Sequence, residues 1–338
     1  VKVAIIFDAG SSEWSPQDVA AVLGNVNEVR AALRARGHDA ELVPVRHGDF
    51  RWLNRARRAD LIFNLCEGIN GHARFEDYVV GTLELTGVPF TGCRHWPTTI
   101  CHRKHVANTL LAAAGVPVPA FTLAQGNKIP STFVLPAIVK PSAEDASVGI
   151  DNAAVCTTRK ALKKRVAQML EQFDDVIVQE YVGGREFNVG FVGKQMLPIS
   201  EIRFDLPEGS WPIVSYAAKW KDESPEYAGT TPVCPADAPA ELLRKVGVAA
   251  RQAWEMMASG EGYGRVDLRV SDSGQPYVLE VNPCPDLSSD AGLANMARAH
   301  GWDYDELVMQ VVEEALSRSQ QRSAAAALTD GESPGVPA

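Results

Sequence analysis

The first hundred residues repeat one pattern, a short apolar run followed by a helical stretch, and that pattern confines this part of the chain to a parallel sheet. Apolar runs at Val3 to Phe7, Ala40 to Val43 and Ala59 to Leu65 alternate with helical stretches at Asp18 to Arg36, closed by Gly37, and at Phe75 to Leu85. A short strand, Val88-Pro89-Phe90, follows. Strands joined through helices run parallel in a doubly wound sheet, whose ligands gather at the strand C-termini. The loops at those ends are Asp8 to Pro16 and Glu67 to Arg74. The second is dense in polar groups, a composition that substrate recognition and an ordinary surface loop share.

The 338 residues suffice for two or three domains. An apolar-striped helix from Lys104 to Ala114 is ended by Gly115 and Pro117, which punctuate the entry to a second unit. That unit holds the strand Ala137-Ile138-Val139-Lys140, a polar loop to Gly149, a basic helix around Lys160 to Leu170 and the strand Val176 to Gln179. The expected organisation is an N-terminal α/β domain at 1–101, a central α+β domain at 102–185, a C-terminal α+β domain at 186–318 and a disordered tail at 319–338.

Lys and Arg number 33 against 42 Asp and Glu, a net charge of −9, which argues against a nucleic-acid partner. No apolar run approaches the roughly 20 residues of a membrane span. The stretch Val1 to Phe7 reads as a strand and not as a secretory signal, so the expected compartment is the cytoplasm, with no membrane partner. Cysteines at 66, 93, 101, 156, 234 and 284 form no CxxC pair and suit reduced buried thiols. The run Cys101-His102-Arg103-Lys104-His105, read as one helix turn, lacks the fourth ligand of a soft metal site.

Chemistry concentrates in Gly264-Arg265-Val266-Asp267-Leu268 and Val278-Leu279-Glu280-Val281-Asn282-Pro283, two apolar runs joined by the turn Ser271-Asp272-Ser273-Gly274. Strand alternation sends Arg265, Asp267 and Arg269 to one face of the first run and Glu280 with Asn282 to one face of the second. A hairpin therefore brings Asp267, Glu280 and Asn282 together. Hard oxygen donors without histidine or cysteine suit magnesium; a solvated face with its charges paired to arginine is the competing reading.

Lys140 ends a strand and precedes Pro141-Ser142-Ala143-Glu144-Asp145-Ala146-Ser147-Val148-Gly149. A fixed cation beside a small-residue loop suits phosphate, although no GxxxxGK[ST] occurs and a surface turn has the same composition. The segment Val176 to Glu186 carries a Gly183-Gly184 turn with carboxylates on either side. Both a plain hairpin and an inter-domain linker that offers backbone groups to adenine and Glu186 to ribose fit it.

Together these residues resemble the ATP-grasp superfamily, and most closely its D-alanine–D-alanine ligase branch. The resemblance runs from about residue 1 to 317. Its motifs are Lys104 with Leu110-Leu111-Ala112-Ala113-Ala114-Gly115-Val116-Pro117, then Ile138-Val139-Lys140-Pro141-Ser142, then Gln179 to Phe187, then Tyr216-Ala217-Ala218-Lys219-Trp220, then the hairpin. It implies a three-domain fold whose two α+β domains sandwich ATP. Lys104 and Lys140 would contact phosphates under a loop containing Ser147, Val148 and Gly149. Glu180, Tyr181 and Val182 would meet adenine, Glu186 the ribose, and Lys219 the γ-phosphate. Asp267, Glu280 and Asn282 would bind two magnesium ions, with manganese a substitute and Glu280 bridging. Arg265 would stabilise charge at the acyl centre. The reaction implied is ADP-forming ligation of a small-molecule carboxylate to an amine through an acylphosphate, by a homodimer.

The chain departs from that branch on the substrate side. Ser15 stands where a glutamate is expected, with Glu13 two residues away. Ala291 stands in place of a serine, Asp286 in place of a glycine, Trp220 in place of an aromatic hydroxyl and Gln179 in place of a glutamate near adenine. Candidate substrate residues are Glu13, Glu67, His72, Trp220, Asp286 and Ser288. The expected substrates are amino acids or amino-acid-derived metabolites, joined or cyclised. A D-alanine–D-alanine ligase using Glu13, Ser288 or Ser289 instead of the lost groups is an alternative, as is an ATP-binding regulator without ligation.

Overall fold

The computed structural model describes residues 1–10, 14, 16–124 and 129–330. Strands β1 (Lys2–Asp8), β2 (Asp39–Val45) and β3 (Leu61–Leu65) form a parallel sheet of order β2-β1-β3. Alternation along β1 splits its side chains between two cores. Val3, Ile5 and Phe7 pack on helix α1 (Pro16–Ala35), whereas Ala4 and Ile6 pack on α2 (Arg51–Ala56) and α3 (Glu76–Thr86). This is the doubly wound arrangement expected. The segment at Val88-Pro89-Phe90 is reduced to a single parallel bridge between Ile62 and Phe90. Pro89 has no N–H with which to extend the ladder.

Helices α4 (His95–Cys101) and α5 (Lys104–Ala113) lead out of this unit. The run Cys101 to His105 therefore straddles a helix junction and is not one helix turn. Strands β4 (Phe121–Ala124), β5 (Ala137–Pro141) and β6 (Val155–Cys156), helix α6 (Arg159–Leu170) and strand β7 (Val176–Glu180) form an antiparallel sheet, β4-β7-β5-β6, backed by α6.

The third sheet runs β11-β10-β8-β12-β13. It is built from β8 (Arg185–Val192), β9 (Gln195–Met196, paired to β8), β10 (Ser200–Phe204), the short helices α7 (Tyr216–Trp220) and α8 (Pro225–Ala228), β11 (Thr230–Val233), α9 (Ala240–Ala258), β12 (Tyr263–Val270) and β13 (Pro276–Asn282). Helix α9 covers one face, with Trp254 stacked on Phe191 at 5.5 Å. Ala107 and Leu111 of α5 enter that same core, so α5 braces the third sheet although it precedes β5 in the chain. Gly264 is required by this packing, because a Cβ there would collide with the Trp254 ring and lie 2.9 Å from the Asn282 carbonyl.

Helices α10 (Gly292–His300) and α11 (Tyr304–Asp330) return to the N-terminal unit. Leu307, Val308 and Val311 join the core containing Val3, Ile5 and Leu33. The helix continues past 318, where a disordered tail was expected. Ala324 to Ala327 favour helix even without an apolar stripe. All six cysteines are free thiols. Among the described residues no helix is long and apolar enough to cross a membrane.

Candidate active site

The β12–β13 hairpin forms as its alternation implies. Arg265 stands opposite Asn282 and Asp267 opposite Glu280, and a register shift follows immediately, between Asp267 and Leu268. Asp267 is buried and fully engaged. Arg265 donates to both its oxygens at 2.7 and 2.8 Å, Asn282 Nδ2 donates at 2.9 Å and Asn188 Nδ2 at 2.7 Å. Asn188 lies opposite Asp267 on β8, two residues after Glu186 and hence on its face. That i+2 spacing was its only signal in the sequence.

Three lysines converge on Glu280 from three different elements. Lys104 opens α5 with its side chain buried; its Nζ donates to Asp145 Oδ1 at 2.8 Å and to the Glu144 carbonyl at 2.6 Å, and lies 3.5 Å from Glu280 Oε2. Burial alone would lower its pKa, but Asp145 and Glu280 raise it instead. Lys140 on β5 and Lys219 in the last turn of α7 are pulled down, mainly by burial. Burial would raise the Glu280 carboxyl, yet Lys104, Lys140, Lys219 and Arg265 together hold it well below the usual carboxylate range. Four neighbouring cations thus favour the ionised form of Glu280, with Lys104 in direct contact.

A cavity of about 660 Å³ opens beside these cations. Its wall includes Gln179, Glu180, Tyr181, Val182 and Glu186. Strand β7 belongs to the central sheet and β8 to the third, so residues 181–184 form a linker between sheets and not a hairpin. Gly184, at φ +84°, is needed there because a Cβ would strike the Val270 carbonyl. Burial pushes the Glu186 carboxyl up, opposed by Arg269 at 3.4 Å. Arg269 is itself fixed over the Tyr181 and Phe204 rings and by a 2.6 Å bond to the Pro212 carbonyl.

Two loops meet over the cavity. Ser147 Oγ donates to the Val214 carbonyl at 2.8 Å, and Trp220 Nε1 donates to the Ala146 carbonyl at 3.0 Å. Ala146 and Ser147 both take positive φ, 53° and 61°, a strained turn closed by the Val148 N–H donating to the Asp145 carbonyl at 3.1 Å. Ser147 lines the cavity; Val148 and Gly149 sit outside its wall. Asn282 touches it only through Asp267.

The candidate substrate residues are less tightly gathered. Glu13, like Ser15, lies outside the described residues. Glu67 is reached by water but surrounded by protein, and burial, then the Asp286 and Glu76 charges, push its carboxyl up to about 8. Asp286 is bonded to the Ser288 N–H at 2.8 Å and Oγ at 2.6 Å, so Ser288 is used within its own turn. His72 packs edge-on against Phe75.

His102 supplies a further link that has no local signal in the sequence. His102 Nε2 lies 3.1 Å from Glu76 Oε2 and 3.7 Å from Asp145 Oδ2, joining α3 to the loop that holds Lys104. Burial would lower its pKa, but the Glu76 hydrogen bond and the Glu76 and Asp145 charges hold it up at about 9.

Asp267, Glu280 and Asn282 are neighbouring oxygen-bearing side chains of the kind a hard divalent cation takes, and the Asp267 oxygens, now bonded to Arg265, Asn188 and Asn282, would exchange some of those hydrogen bonds for the ion. Among the described residues no group of three or more His, Cys, Asp or Glu has metal-holding geometry of its own. A magnesium ion on this set would keep water and phosphate oxygens as further ligands.

Comparison with known proteins gives a consistent result. A family model described as D-ala D-ala ligase C-terminus matches residues 110–313. A D-alanine–D-alanine ligase of Bordetella avium is 30% identical over 325 residues, covering 93% of this chain and 94% of that protein. Uncharacterized protein y4sG of Sinorhizobium fredii is 33% identical over 309 residues, 86% of this chain and 87% of that one. The crystal structure of D-alanine–D-alanine ligase from Bacillus anthracis complexed with ATP has a similar fold, with a TM-score of 0.74 at 24% identity over 95% of this chain and 99% of that one.

Proposed function

Because the chain belongs to the D-alanine–D-alanine ligase family of ATP-grasp enzymes, we propose that it is an ADP-forming carboxylate–amine ligase whose acid and amine are not both D-alanine. The carrying observation is the set of four cations, Lys104, Lys140, Lys219 and Arg265, around Glu280 beside the cavity. One cation–phosphate contact at 4 Å is worth about 4 kcal/mol at an effective dielectric near 20. Several in a sheltered cleft hold a triphosphate and drain charge from its γ-phosphate.

Asp267, Glu280 and Asn282 would hold magnesium, which supplies further neutralisation of the phosphate oxygens. The linker from Glu180 to Val182 faces the base, and Glu186, fixed by Arg269, faces the ribose. The acid substrate's carboxylate attacks the γ-phosphorus, giving an acylphosphate and ADP. The amine then attacks the acyl carbon, and phosphate leaves. Arg265, permanently charged and held by Asp267, is placed to stabilise the oxyanion between those steps.

The altered substrate side supports a different substrate pair. Ala291 begins α10 without a side-chain cap and offers no hydroxyl, and Asp286 adds a carboxylate near Glu67. The test is phosphate release from ATP with magnesium against amino acids singly and in pairs, with products identified by mass. D-alanyl-D-alanine formed from D-alanine at the rate of an ordinary ligase would overturn the substrate reading. No stimulation by any carboxylate would favour a nucleotide-binding regulator. The homodimer that the family resemblance implies is measured by light scattering.

A further inference from the structure

Asn188 lies midway along β8, in register with Asp267 on β12, which is in register with Glu280 on β13. Residues directly opposite on neighbouring strands share a face of the sheet, so these three side chains form one row. All three border the cavity, and Asn282 does not.

A carboxylate offers about four lone-pair sites. Those of Asp267 are taken: Oδ1 accepts from Arg265 Nε at 2.7 Å and Asn188 Nδ2 at 2.7 Å, and Oδ2 from Arg265 Nη2 at 2.8 Å and Asn282 Nδ2 at 2.9 Å. A cation therefore reaches Asp267 only by displacing a donor. Of the two amides, Asn188 is the one on the cavity wall, and its NH2 stands where a cation entering from the cavity would meet Oδ1. An amide displaced in this way keeps its place by turning over, because its two ends are nearly the same in size and shape. The turn exchanges an N–H donor for a carbonyl oxygen, an ordinary ligand for hard divalent ions.

We propose that Asn188 is a further metal ligand, whose amide, donating to Asp267 in this structure, turns its Oδ1 onto the ion as the ion binds Asp267. The inference rests on the reading of Asp267 and Glu280 as metal ligands. It is tested by titrating Mn2+ into the ADP complex of the wild-type chain, Asn188→Leu and Asn188→Asp, with free Mn2+ followed by electron paramagnetic resonance. Bound Mn2+ is also located by its anomalous scattering in crystals of the wild-type complex. Asn188→Leu, of similar size but without a ligand atom, should weaken Mn2+ binding by about tenfold or more. Asn188→Asp keeps an oxygen but cannot donate, and should bind Mn2+ at least as tightly as the wild type. In the crystals Oδ1 should lie about 2 Å from the ion. Unchanged affinity in Asn188→Leu, weakened affinity in Asn188→Asp, or Nδ2 still on Asp267 beside a bound ion overturns the assignment. Should Asn188→Leu fail to fold, shown by its melting temperature without metal, Asn188→Asp and the crystals decide. Failure of the wild-type complex to hold Mn2+ more tightly than free ADP does overturns the metal site itself, and this assignment with it.

Discussion

His102 and Glu280 carry the site's electrostatics at the scale of single residues. The imidazole faces Glu76 on α3, Asp145 on the loop after β5 and the Lys104 charge beyond it. Its folded pKa is raised, from 6.5 to about 9, so its charge stabilises the fold fully below pH 6.5 and that stabilisation is lost as pH rises through about 9. His102→Gln should therefore lower the melting temperature most at about pH 6.5 and below, less as pH rises, and converge on wild type above about pH 9.5; a difference that does not depend on pH would contradict the pairing. Glu280→Gln removes the negative charge among the four cations. Turnover should fall by at least about a hundredfold with the circular-dichroism spectrum unchanged, and retained activity would remove the metal assignment. Asp267, Glu280 and the three lysines were legible in the sequence because strand alternation and ordered motifs expose them. His102, Asn188 and Asp145 were not, because their partners lie far away in the chain and pairing of that kind leaves no local signature.

At the scale of elements, the decisive facts are sheet membership and loop contact. A glycine turn between two apolar runs has the same local chemistry whether it makes a hairpin or a linker. Residues 181–184 are a linker because β7 finds its partners in β4 and β5 while β8 finds its own in β10 and β12. No window of sequence contains that information. The hairpin β12–β13, by contrast, was readable, since its turn and alternation are both local. The two loops over the cavity are joined by Trp220 Nε1 to the Ala146 carbonyl and by Ser147 Oγ to the Val214 carbonyl. Trp220→Phe keeps an aromatic ring but removes the donor. It should raise the KM for ATP several-fold, with cleavage of the 142–150 loop by added protease accelerated. An unchanged KM together with unchanged proteolysis would show that the contact does not hold the loop.

On the scale of the whole molecule, the closing helix binds the N-terminal and third units together. The N-terminal strands read clearly because each βα repeat is local, but the helix that completes their core comes from the far end of the chain. Arg318 on α11, buried, donates to the Phe90 carbonyl at 2.7 Å and the Gly92 carbonyl at 2.9 Å. One turn earlier Glu314 accepts from the Gly262 N–H at 2.9 Å and lies 3.7 Å from Arg318. A single helix turn thus ties the strand-end segment at 90–92 to the entry of β12, which carries Arg265 and Asp267. Arg318→Met preserves much of the side chain's length and apolar contact but leaves two buried carbonyls unpaired and Glu314 without its cation. It should cost about 2–4 kcal/mol in urea denaturation. Because the same turn positions β12, ATP binding should weaken in parallel as stability falls. Loss of stability with nucleotide affinity intact would show that α11 braces the N-terminal unit alone.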